Sequence, residues 1–153
     1  MALKYIFRNT IWGSEGISSI PPRFHLLYTL ILPAQYALLM AYGLLILDSP
    51  TSSIRYVFGP IYADIWSYGL FVSGATALFG IVAEYKTPWV EAVGAVFLVT
   101  LLLLFAISLV VVAAVVGETL RVPSLPISLV LLSLTAWRIL DISRELRPAR
   151  HVS

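Results

Sequence analysis

The sequence predicts an all-α integral membrane protein: a four-helix bundle preceded by a short N-terminal interfacial segment and followed by a basic C-terminal tail. Three observations carry this. Hydrophobic residues fill 59% of the 153 positions against 12% charged, with a mean hydropathy of +0.92, far more apolar than a soluble domain of this size. Stretches free of Asp, Glu, Lys and Arg run over 24–47, 65–83, 92–117 and 122–137, and about 20 helical residues at 1.5 Å rise cross the hydrocarbon. With four spans, Lys4, Arg8, Arg23, Lys86, Arg138, Arg144, Arg147 and Arg150 fall on one side and only Arg55 and Arg121 on the other. That asymmetry places both termini in the cytoplasm.

The interfacial segment covers 1–23. Leu3, Phe7 and Ile11 recur every four residues beside Lys4 and Arg8, which suits a short helix lying on the membrane surface. The charges interrupt any apolar core that a secretory leader would need. The stretch "GSEGISSIPPR" is rich in turn formers and leads into the first span, about 24–47, which opens a single domain over 24–147.

Within the first span, Pro33 removes a helix donor and predicts a kink. Tyr28, Gln35 and Tyr42 are seven apart, so a regular helix puts them on one polar intramembrane face. The Gln35 amide is costly in hydrocarbon without a partner, so that face is expected to meet protein or water.

The loop "DSPTSSIRYVFGP" leads to the second span, about 61–83, with Pro60 as an early helix residue. Gly69, Ser73, Ala77 and Gly80 form a small-residue stripe suited to helix packing, within the chain or between subunits. Asp64 projects away from that stripe. The 19 uncharged residues after it, at 65–83, nearly suffice to cross. Asp64 therefore reads as an interfacial charge, set among a belt of Tyr62, Trp66 and Tyr68 and favoured by the helix macrodipole.

The third span, about 89–116, starts with Thr87 as N-cap, Pro88 at the first helical position and Trp89 as an interfacial anchor. Glu91 reads like Asp64, as an interfacial carboxylate in an early, dipole-stabilised turn. The run of 26 uncharged residues, 92–117, is longer than a crossing needs, so this helix is expected to tilt or protrude.

The fourth span, about 123–140, ends at an inner interface marked by Trp137 and Arg138. Its helix is expected to continue to Leu146, with Asp141 placed to pair with Arg138 or Arg144, before Pro148 stops it. Ser124, Ser128 and Thr135 share one face and can bond carbonyls of their own helix. The tail, 148–153, is basic and can approach anionic headgroups.

Catalytic signals are missing from this pattern. The chain has no cysteine, and its two histidines, His25 and His151, have no metal-ligand spacing. No glycine-rich phosphate loop, catalytic carboxylate pair or HExxH occurs, and the span hydroxyls lack a neighbouring base. The expectation is a non-enzymatic protein without cofactor, metal or nucleic acid, whose partners are the lipid bilayer and either further copies of itself or another membrane protein.

The layout of the N-terminal segment leading to "IPPRFHLLYTLILP", the span "IWSYGLFVSGATALFGIVAEY" and the basic tail resembles small four-span membrane proteins of actinobacterial phages, holin-like proteins among them. The resemblance implies accumulation in the inner membrane, oligomerisation, and lesions that release or activate an endolysin. Two other functions fit the same residues. One is an accessory membrane subunit or host-envelope-modifying phage protein. The other is a small transporter, which with four spans would act as a dimer around an ionisable or polar midplane site.

Overall fold

In the computed structural model the described residues are 10–13, 20, 22–47, 52–82, 88–116 and 124–145. A short 3-10 turn, Pro22–Phe24, and a π-helical turn, Leu27–Ile31, lead into α1, Leu32–Leu45. There follow α2, Ser52–Phe58; α3, Pro60–Val82; α4, Pro88–Val116; and α5, Ser124–Glu145. The protein is all-α, and four stretches are long and apolar enough to span a membrane: Leu27–Leu45, Pro60–Val82, Pro88–Val115 and Leu125–Arg144. The helix of the fourth span is described to Glu145, near the expected end at Leu146, and its Ile142 is buried in the bundle.

Two pairs of glycines set how closely the helices approach. A Cβ on Gly43 would lie 2.6 Å from the Phe71 backbone nitrogen, and one on Gly74 would lie 2.9 Å from that of Met40, so α1 and α3 touch backbone to backbone. A Cβ on Gly94 would lie 2.5 Å from the Ala77 nitrogen, and one on Gly80 would strike the Glu91 backbone, so α3 and α4 do the same. Among apolar helices in lipid this close contact, with its dispersion attraction, replaces the hydrophobic drive that water would supply. The paired positions run in opposite senses along α3 and α4: Gly80 meets Glu91, Gly69 meets Leu101, and Trp66 meets Phe105. The bundle is therefore up-down-up-down. The starts of α1 and α4 share one end with the C-terminal parts of α3 and α5.

The small-residue stripe is spent inside the chain. Ser73, Ala77 and Gly80 are buried, and Gly94 and Gly80 bring α4 onto them; Gly69, at the edge, faces only the Leu101 side chain. Helix α2 lies within the stretch expected to be a loop. Its Ile54 is almost fully buried where α2 packs on α3 and α4, and Gly59, at φ 87°, turns the chain from α2 into α3.

Of the expected interfacial segment, only Thr10–Gly13 and two later residues before Phe24, at 20 and 22, are described with their side chains, and the basic tail lies outside the described residues. Ile11 is buried in the core cluster rather than lying on a membrane surface. Trp12 explains part of this docking. Pro33 has no N–H for the carbonyl four residues earlier, Thr29, and the Trp12 indole donates to that oxygen at 2.8 Å. The irregularity expected at Pro33 takes the form of the preceding π turn, in which the Leu32 N–H reaches the Leu27 carbonyl.

Candidate functional site

A buried charged centre occupies the bundle end formed by the starts of the first and third spans. Glu91 stands in the first turn of α4, three residues after Pro88, and Gly80 lets α3 press against its backbone. Arg138 comes from the C-terminal half of α5. Its Nε donates to Glu91 Oε1 at 2.8 Å and its Nη2 to Glu91 Oε2 at 2.7 Å, a bidentate fork whose side chains are 6% and 2% exposed.

The remaining guanidinium face is also engaged. Nη1 donates to the Tyr28 hydroxyl at 2.9 Å and to Asp141 Oδ2 at 3.0 Å, while the guanidinium carbon lies 4.5 Å from the Tyr28 ring centroid. The Tyr28 hydroxyl in turn donates to Asp141. Tyr36, wholly buried, donates to Glu91 Oε1 at a long 3.4 Å. Phe24 and Trp137 stack around Tyr28 and close that side of the centre. The π turn that leads into α1 is thus tied to α4 and α5 by one guanidinium.

Glu91 and Arg138 therefore depart from the expectation of interfacial charges facing water. They do lie near helix ends. Their side chains, however, point inward, because each finds the opposite charge across the bundle and the Gly80 contact leaves no open path on the α3 side. Removing Arg138 would leave Glu91 buried without a counter-charge, which costs about 3–5 kcal/mol in comparable sites, whereas Arg138 without Glu91 would keep its pair with Asp141. Asp64 is exposed on α3, in keeping with an interfacial position. Tyr62 and Tyr68 beside it are exposed too. Trp66 is not part of that belt: it is buried, its indole donates to the Leu101 carbonyl at 3.0 Å, and it packs on Phe105 and Tyr42.

Of the expected polar face, Gln35 and Tyr42 line one cavity, while Tyr28 is set apart from them. An i→i+5 turn takes one residue more than an α turn, so Tyr28, within that turn, is displaced around the helix relative to the two residues that follow it. Tyr28 joins the Arg138 centre. Gln35, 5% exposed, donates through Nε2 to Thr135 Oγ1 at 2.8 Å and to the Leu131 carbonyl at 3.1 Å. Tyr42 is partly exposed and leans on Trp66. Tyr36 fills the place beside Glu91, one residue past the expected register. No spacing rule pointed to it, because the π turn is not encoded by a residue pattern other than Pro33 two positions beyond it.

The Asp141 partner expected for Arg138 forms, and Thr135 donates to the carbonyl of Leu131 in its own helix at 2.8 Å. Toward the opposite bundle end lies a space bordered by helices α1 and α5. A cavity of about 560 Å³ opens between them, with Trp66 and Leu70 of α3 and Leu102 and Phe105 of α4 as its floor. Gln35 stands in the cavity wall, between the charged centre and the open end.

No protein-family model, curated protein or solved structure matches the chain.

Proposed function

We propose that the chain is a non-enzymatic integral membrane protein of a bacterial inner membrane, with both termini cytoplasmic, that acts as an accessory subunit by lateral contact with another membrane protein. The observation that carries this reading is that the buried charges are paired within the bundle. Arg138 ties α4 and α5 to the π turn before α1, and Gly80 and Gly94 are consumed in the contact between α3 and α4. Many large apolar side chains along the spans are exposed, Leu38, Val72, Phe79, Phe97 and Val130 among them. Exposed hydroxyls are satisfied locally: Thr100 donates to the Val96 carbonyl at 3.0 Å and Ser133 to that of Leu129 at 2.7 Å. Such a surface suits lipid or an apolar protein face.

A holin-like lesion would need a polar face turned to water, and apolar surface there is unfavourable. A transporter would call for an ionisable group near the midplane, whereas the described charged centre lies at one end and is closed on itself. Induced expression in a bacterium, followed by membrane potential and by co-purification, separates these readings. The expected outcome is continued growth with intact potential and recovery of a defined membrane partner. Abrupt depolarisation at a set time would overturn the accessory reading in favour of the holin-like one.

A further inference from the structure

The stretch that leads into α1 is engaged on two neighbouring sides. Phe24 and Tyr28, four residues apart, face the charged centre: their rings pack on each other and on Trp137, and the Tyr28 hydroxyl accepts from Arg138 at 2.9 Å. His25 and Thr29, the next residue in each case, carry the contacts to the segment before them. The Trp12 indole donates to the Thr29 carbonyl at 2.8 Å, the Thr29 hydroxyl donates to the His25 carbonyl at 2.6 Å, and the His25 ring meets the Ile20 carbonyl at 2.9 Å. That carbonyl can only accept, so His25 Nε2 carries the hydrogen.

The segment docks through apolar and polar contacts together. The Gly13 N–H closes a tight turn on the Thr10 carbonyl at 2.8 Å, and this turn points Ile11 inward, into the same core cluster as Tyr28. Trp12 beside it stays 41% exposed. It is held by its indole N–H against a carbonyl whose usual helix donor is missing because position 33 is proline.

We propose that Thr10–Gly13 is a strap whose docking is coupled to closure of the charged centre: Trp12 holds the π turn before α1, and that turn holds Tyr28 over the Arg138 guanidinium. The Tyr28 ring lies 4.5 Å from the guanidinium carbon, and its hydroxyl bridges Arg138 and Asp141. Losing the Trp12 contact therefore uncovers Arg138 and Asp141 at that end of the bundle. The fork from Arg138 to Glu91 joins α5 to α4 and stays in place. This coupling goes beyond the accessory role proposed above and does not depend on it.

The test uses the full chain in detergent micelles. Hydrogen exchange of the Leu32 amide, which bonds to the Leu27 carbonyl, reads opening of the turn. In the chain labelled with 3-fluorotyrosine, broadening of the Tyr28 fluorine resonance by a water-soluble gadolinium chelate reads opening of the centre, and Tyr28→Phe identifies that resonance. Trp12→Phe keeps a ring and removes the N–H; it should raise both the exchange rate and the broadening about fivefold, the effect of one neutral hydrogen bond. Trp89→Phe, at an exposed position near the same end, should change neither. Pro33→Ala gives position 33 an N–H for the Thr29 carbonyl, and in that background adding Trp12→Phe should leave both readings nearly unchanged. Faster Leu32 exchange with an unaltered Tyr28 signal would overturn the coupling, and so would no change in either reading. An equal response to Trp89→Phe, or a fivefold effect of Trp12→Phe that persists beside Pro33→Ala, would remove the Thr29 carbonyl as the strap's anchor and the proposal with it.

Discussion

Asp64 and Glu91 occupy nearly equivalent places on neighbouring antiparallel helices. Asp64 follows Pro60 by four residues at the head of α3, and Glu91 follows Pro88 by three at the head of α4. Yet Asp64 is exposed, while Glu91 is 2% exposed and held in a two-point fork by Arg138. The difference lies in what stands opposite. Asp64 lies on the exposed side of α3, where the helix macrodipole favours its charge. Glu91 faces the interior, where Gly80 brings α3 onto its backbone and only a guanidinium can meet the charge. A carboxylate at a helix head is thus a surface group or a structural clamp according to its neighbours, and not according to its distance from the helix start.

The strongest way to break this contrast is to remove Arg138. Arg138→Met should lower the stability of the folded bundle by about 3–5 kcal/mol, since Glu91 would remain buried without its counter-charge. Adding Glu91→Leu to that variant should restore most of the loss, because a hydrophobic pair of similar volume can replace a buried ion pair at little cost. Thermal unfolding in detergent measures both. A double variant as unstable as the single one would mean that the pair does more than balance itself.

A smaller effect separates two glycines of the same stripe. Gly80→Leu forces a side chain into the Glu91 backbone and should destabilise by about 1–3 kcal/mol or more, as overpacking does. Gly69→Leu meets only the end of the Leu101 side chain, with its Cβ 3.2 Å away, and should be clearly milder. Denaturation midpoints of the two variants give the ranking; equal losses would remove the assignment of the α3–α4 contact to Gly80. At the bottom of the series, Asp64→Asn should stay within about 0.5 kcal/mol of the parent chain by the same assay. A loss approaching that of Arg138→Met would erase the distinction between the two helix heads.

Part of this site can be read without the fold. Asp141 lies three residues from Arg138, and i,i+3 neighbours on a helix meet whatever packs around them. The Glu91–Arg138 pair is separated by 47 positions, and Tyr28 lies 110 from Arg138, so no local pattern brings them together. Gln35 was recognisable as a polar residue needing a partner. Its partners, the Leu131 carbonyl and Thr135, lie 96 and 100 positions away, so only the packing of α1 on α5 brings them to it.

The sequence by itself determined the all-α class, the four spans to within a few residues at most ends, the early helix roles of Pro60 and Pro88, and the small-residue stripe of α3. Those properties are local: apolar length, proline chemistry and the 3.6-residue repeat act within one helix. Only the tertiary structure decided which carboxylate is buried, that the stripe closes on α4, that Trp66 turns inward, and that α1 and α5 border a cavity. The physical reason is that in lipid every face of an apolar helix is permissible, so the choice of inward face is made by the few polar and small groups that find partners across the bundle.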